Sequence, residues 1–245
     1  LRSRKLLVIA VLVFSAVPAF PQTPAEILEE AALFGNFSSL TATLEMEIHD
    51  RGTKTRTLEL YLENTEERYR ALMQVIEPGF LSEMKFLTDT SGGETRQWLS
   101  TSRGVRRLSE TSGEERIFDS DFTAEDLSGY RAEDYELRLL HDERIGGEEA
   151  HVLEARALAG NAGYHRRVLY VSKDRDLLLR ADYISEQGEL VKQFELLEAG
   201  RQNGSYLPQR AVMRTLSLGT QTFLRVREVE TDASIPSRLF NRGNL

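Results

Sequence analysis

From Ser39 onward apolar and polar residues alternate: Leu40, Ala42, Leu44, Met46 and Ile48 interleave with Thr41, Thr43, Glu45 and Glu47. A period of two gives a strand one apolar and one wet face. Asp50-Arg51-Gly52 turns the chain, and Leu58, Leu60 and Leu62 then alternate with Thr57, Glu59 and Tyr61, so the first two strands form a hairpin with one oily face. The same reading predicts strands over 68–76, 83–89, 96–101, 105–109, 149–157, 165–172, 177–185, 190–198, 206–217 and 220–231. Turn residues separate them at Gly92-Gly93, Gly104, Gly146-Gly147, Glu186-Gln187-Gly188, Asn203-Gly204 and Gly219. Many strands at hairpin spacing, without crossover helices between them, predict an antiparallel sheet long enough to curl.

Two stretches break the alternation. Thr23-Pro24-Ala25-Glu26 is a capping box with proline at the first helical position. Ile27, Leu28, Ala31, Ala32, Leu33 and Phe34 then form one apolar stripe at helical spacing, while Glu26, Glu29 and Glu30 face water. The second stretch, 118–130, carries a similar box at Thr123-Ala124-Glu125-Asp126, which predicts a short helix. Its large apolar residues Phe118, Phe122, Leu127 and Tyr130 are expected to pack over the mouth of the sheet as a lid. The fold class expected is therefore mainly β with a few helices: a strongly curved antiparallel sheet, an incomplete barrel, its concave face covered by short helices.

Residues 1–19 read as a signal peptide. Arg2, Arg4 and Lys5 precede a short apolar run, and Val17 and Ala19 have the spacing of a cleavage site. The expected mature chain, 20–245, is a single exported domain of about 225 residues, enough for one core. With no cysteine, it has no site for lipid attachment, no disulfide and no thiolate chemistry, so stability rests on the hydrophobic core. Loss of the three basic residues takes the 31 Lys and Arg to 28 against 39 Asp and Glu, a net charge of −11. Scattered Arg and Lys without a basic stripe disfavour nucleic acid and a static grip on anionic membrane.

At Trp98-Leu99, Val105-Arg106-Arg107-Leu108 and Ser120-Asp121-Phe122-Thr123-Ala124-Glu125-Asp126-Leu127, the sequence resembles the periplasmic outer-membrane lipoprotein-sorting family, relatives of the lipoprotein carrier of Gram-negative bacteria. The likeness continues through Tyr164, Arg166, Tyr183, Gly188, Leu190-Val191-Lys192 and Thr222 to Ile235-Pro236-Ser237-Arg238-Leu239-Phe240. Two positions depart from the pattern: Asp119 stands where the family has glycine, and Ala124 where it has an aromatic residue. The resemblance implies a hydrophobic cavity for acyl chains. It also implies a periplasmic carrier that shuttles lipoproteins or lipids toward the outer membrane, meeting an inner-membrane exporter and an outer-membrane acceptor transiently, as a monomer. No latch residue for the lid is assigned.

An acyl chain of about fifteen methylenes costs on the order of 10 kcal/mol to hold in water, at ~0.8 kcal/mol for each CH₂. Leu44, Met46, Leu58, Leu60, Tyr69, Met73 and Trp98 are the expected cavity lining, the plain alternative being ordinary core. The acidic group Asp119, Asp121, Glu125 and Asp126 is read as helix-capping rather than a calcium site or an acid–base pair. His49, His141, His151 and His165 form no zinc pattern. Arg103, Arg106 and Arg107 suit a protected hairpin edge. With no nucleophile elbow and no phosphate loop, neither enzymatic activity nor a cofactor is expected. The competing function is a lipid-binding sensor, or an accessory protein of an exporter, built on the same fold.

Overall fold

A computed structural model of the chain describes residues 22–31, 33–34, 37–65, 67–108, 115–158 and 164–245; the expected signal peptide lies outside them. The helix α1 (Pro24–Glu30) opens on the predicted capping box. Thr23 accepts from the Glu26 amide at 3.3 Å, and Glu26 Oε2 accepts from the Thr23 amide at 2.7 Å. Ile27 and Leu28 bury the apolar side of the helix.

The strands are β1 (Ser39–His49), β2 (Thr53–Thr65), β3 (Arg68–Glu77), β4 (Lys85–Ser91), β5 (Glu94–Thr101), β6 (Gly104–Leu108), β7 (Tyr135–Leu139), β8 (Glu143–Ile145), β9 (Glu148–Ala157), β10 (Arg166–Ser172), β11 (Leu178–Ile184), β12 (Leu190–Gln202), β13 (Ser205–Thr215) and β14 (Thr220–Thr231). They form one antiparallel sheet in the order β6-β5-β4-β3-β2-β1-β14-β13-β12-β11-β10-β9-β7, with β8 beside β9. The chain runs outward from β1 to one edge and returns from the other edge to β14, which pairs with β1 in the middle. Edges β6 and β7 do not meet, so the curved sheet is not closed into a barrel. The short strands β7 and β8, each paired with β9, carry little alternation and are not among the strands that the sequence pattern predicts.

Side-chain alternation decides the inside. Leu40, Ala42, Leu44, Met46 and Ile48 of β1 pack with Leu58, Leu60 and Leu62 of β2 in one large core on the inner face. α1, Phe34, Phe37 and the 117–127 segment cover that face. The outer face carries a smaller cluster in which Leu72, Leu87 and Trp98 meet Phe240 of the C-terminal 3-10 turn Ser237–Phe240. Trp98, expected in the inner lining, is therefore on the opposite side of the sheet. Its partners across the ladder, Leu87 and Arg107, share that outward register.

The second predicted helix does not form. Thr123 donates its amide and hydroxyl to Asp126 Oδ2 at 2.8 and 2.9 Å, the half of a capping box in which the later side chain accepts, and the chain makes only a turn over 124–127. Gly129, at φ +76°, takes the backbone out of the helical region two residues later.

Candidate functional site: a latched lid over the inner face

Residues 115–131 cross the open side of the sheet as a self-stitched loop. The Ile117 amide donates to Phe122 O at 2.8 Å, the Ala124 amide to Glu115 O at 3.0 Å, and Arg116 Nε to Ser120 O at 2.6 Å. Phe118 and Asp119 both adopt left-handed backbone, φ 55° and 54°, which is uncommon outside glycine. Asp119 thus occupies a conformation that glycine would take without strain. Its carboxylate instead reaches Arg56 Nη2 at 2.8 Å.

The expected lid residues Phe118, Phe122 and Leu127 are buried in the same cluster as Leu44, Met46, Leu58, Leu60 and Met73, and Tyr69 and Tyr130 pack against it. Tyr69 also donates to Leu127 O at 3.4 Å. Solvent reaches at most 1 % of those five aliphatic and methionine side chains, so they are packed within the core and not exposed on an open surface.

Polar chemistry fastens the loop, and it works across long sequence distance rather than within a helix cap. Asp121, 1 % exposed, accepts from the hydroxyls of Thr215 at 2.6 Å, Thr222 at 2.7 Å and Thr220. Its amide donates to Thr222 Oγ1 at 2.9 Å. Asp126 pairs with Lys192, and Glu125 with Arg167; Arg167 and Lys192 are 1 % and 2 % exposed. The rings of Tyr130, Tyr135, Tyr164 and Tyr183 lie 5.3–5.5 Å from the Arg167 guanidinium carbon, within cation–π range. The capping reading of the acidic group is thereby corrected: Thr123–Asp126 is a cap-like contact, but each of the four carboxylates also has a partner on the sheet.

Burial pushes the Asp126 carboxyl up, but the Lys192 charge and hydrogen bond and the Thr123 amide outweigh it and hold the group below its ordinary value. Lys192 is pushed down from its ordinary value by burial, with Asp126 opposing the shift. Burial raises the Tyr130, Tyr164 and Tyr183 phenols well above their ordinary range, so the cage stays protonated.

Beside the lid, a cleft of about 850 Å³ opens between α1, the β2–β3 and β4–β5 turns and residues 128–133, with Leu28, Tyr69 and Tyr130 among its walls. Among the described residues no group of three or more His, Asp or Glu is placed to hold a metal. No helix there is long and apolar enough to cross a membrane. Arg106 and Arg107 lie on edge strand β6, paired with Glu115 and Glu94.

A family model described as "Uncharacterized protein" matches residues 67–245. No curated protein matches the sequence. Among solved structures, an outer membrane lipoprotein-sorting protein domain from Vibrio parahaemolyticus superposes with a TM-score of 0.79 at 23 % identity, over 85 % of this chain and 91 % of that one. A DUF1329 family protein from Desulfovibrio piger gives 0.78 at 21 % identity, with the same coverage. A LolA superfamily protein from Nitrosomonas europaea gives 0.72 at 20 %, over 92 % of this chain and 100 % of that one. The chain shares the fold of these three structures, a likeness that the sequence resemblance implies.

Proposed function

Because the chain belongs to the family described as "Uncharacterized protein" and has the LolA-superfamily fold, we propose that it is a periplasmic, non-enzymatic carrier. It takes acyl chains of lipids or lipoproteins onto the inner face of the sheet and moves them toward the outer membrane. The observation that carries this reading is the lid itself, whose three large apolar side chains, Phe118, Phe122 and Leu127, are buried in the large apolar cluster of the inner face while the loop is fastened there by polar contacts.

Removing three such side chains from water is worth roughly 5–9 kcal/mol, at about 1.5–3 each. An acyl tail of about fifteen methylenes gains on the order of 10 kcal/mol from the same transfer. Lid and tail are therefore near-equal competitors for one surface, which suits reversible loading and release. The cleft between α1 and residues 128–133 is the natural entry, because Leu28 and Tyr69 join its walls to the core.

The test is transfer of a fluorescent acylated lipid from donor to acceptor vesicles. A carrier raises the rate in proportion to its concentration. Binding without onward release would favour the sensor or accessory role, and no binding would dismiss both.

A further inference from the structure

The lid's carboxylates sit where an anion would sit if the lid were raised. Thr220, Thr215, Lys192, Tyr183 and Arg167 are successive ladder partners across β14, β13, β12, β11 and β10, so they form one polar row on the inner face. The next row inward, Met213, Phe194, Ala181 and Leu169, is apolar across β13 to β10 and ends on β14 at Thr222, whose hydroxyl also reaches Asp121. A head-and-tail ligand has that layout: charge on one row, hydrocarbon on the next.

Buried ion pairs are a costly way to hold a loop, since well-packed apolar residues of similar size hold as well or better. Stability alone does not call for a buried arginine and lysine here. Moreover, the lid only partly saturates the site. Arg167 Nε is buried without a hydrogen-bond partner, although Arg167 as a whole is almost fully buried and its guanidinium is ringed by four tyrosines. Three threonine hydroxyls converge on the single Asp121 carboxylate. A phosphate-type group brings three acceptor oxygens and forms strong charge-assisted bonds to guanidinium and ammonium donors.

We propose that the cargo is an anionic amphiphile, whose phosphate-type headgroup replaces Asp121, Glu125 and Asp126 at Thr215, Thr220, Lys192 and Arg167 as its tail replaces the lid's apolar side chains. The lid is then a stand-in for the cargo, and the headgroup is what displaces it. This rests on the acyl-binding reading above and adds the charge of the head.

The test uses the wild-type protein and single-chain amphiphiles of equal length: dodecyl phosphate, a neutral dodecyl glycerol ether and dodecyltrimethylammonium, each below its micelle concentration. Inorganic phosphate alone is the fourth arm. Displacement of an apolar fluorescent probe reads binding, and hydrogen exchange of amides 117–127 reads the lid. Dodecyl phosphate should bind at least about tenfold more tightly than the other two amphiphiles and raise lid exchange, while inorganic phosphate does neither. Equal binding of all heads overturns this inference and leaves the carrier reading standing. Lid release by inorganic phosphate alone also overturns it, marking a free-anion site. No displacement by any amphiphile removes both readings. Arg167→Gln and Lys192→Gln should erase the phosphate preference while keeping the neutral affinity. Because Arg106 pairs with Glu115 at the start of the lid loop, a variant there reads the loop as well, and Arg144→Gln, exposed on β8 and paired with Glu149, is the control that should keep both; if the two buried variants fail to fold, the wild-type comparison still decides.

Discussion

Breaking one partner of the Asp126–Lys192 pair should unlatch the lid without unfolding the sheet. Each group depends on the other. Without Asp126, Lys192 Nζ keeps the Tyr164 hydroxyl at 3.2 Å and the faces of Tyr164 and Tyr183 at 5.3 and 5.2 Å, none of which cancels its charge. Without Lys192, Asp126 keeps the amide and hydroxyl of Thr123. Removing one member of a buried pair costs about 3–5 kcal/mol. The surviving Thr123 contacts place Lys192→Met near 3 kcal/mol, and Asp126→Asn, which strands the ammonium, nearer the upper end. Because 1.4 kcal/mol is a factor of ten, a loss of about 3 kcal/mol confined to the lid raises hydrogen exchange of amides 117–127 roughly a hundredfold. Amides of β1, β2 and β14 should change far less. The double variant Asp126→Leu/Lys192→Met removes both charges and should recover most of the protection, because an apolar pair of that size is no worse than the ionic one. Equal exchange in the single and double variants would refute the argument, and so would a loss spread evenly over the sheet.

Phe122→Ala should destabilise by about 3–5 kcal/mol, since the ring is fully buried. Urea unfolding followed at tyrosine should place that loss in an early lid transition, and faster acyl-probe uptake should accompany it. Acid should leave the Asp126 latch alone until the pH is low. Its folded-state pKa lies below the ordinary 3.8, so its contribution is complete above about pH 4 and fades as the pH falls through the folded value; lid exchange should be flat from pH 7 to 5 once corrected for intrinsic rates. Loosening that begins near pH 6 would mean another group holds the loop. Thr23→Ala should cost α1 about 1 kcal/mol, read as faster exchange at 26–30 with the lid unchanged.

Alternation made the sheet legible because it is a local signal: whichever strand pairs with β1, Leu44 and Met46 must share a face. The register across strands is not local, and Trp98 is the consequence. Its aromatic character suits an inner lining, whereas its neighbours Leu87 and Leu72 and the C-terminal Phe240 form a second apolar patch outside. Such a patch looks the same as the core in composition. The helix expected at 123–126 failed for a related reason, since a capping box specifies the first turn and says nothing of Gly129 or of a lysine pulling Asp126 toward the sheet.

The latch was hidden because its pairs are far apart in the chain: Asp121 with Thr222 at a separation of 101 residues, Asp126 with Lys192 at 66. A trace of it was nevertheless present. Thr222, Lys192, Tyr183 and Tyr164 belong to the family-like positions and carry no evident role in the sequence, and Arg167, Lys192 and Thr215 put polar side chains on the inward register of strands whose other inward residues, Leu169, Phe194 and Met213, are apolar. A polar residue on the buried register needs a partner, because an unpaired buried charge is too costly to keep. On this sheet the missing partners must be acidic and must come from outside the strands. The Ser120–Leu127 segment, with Asp121, Glu125 and Asp126 among apolar residues, supplies both the charges and the hydrocarbon that such a face requires, as an anionic amphiphile would.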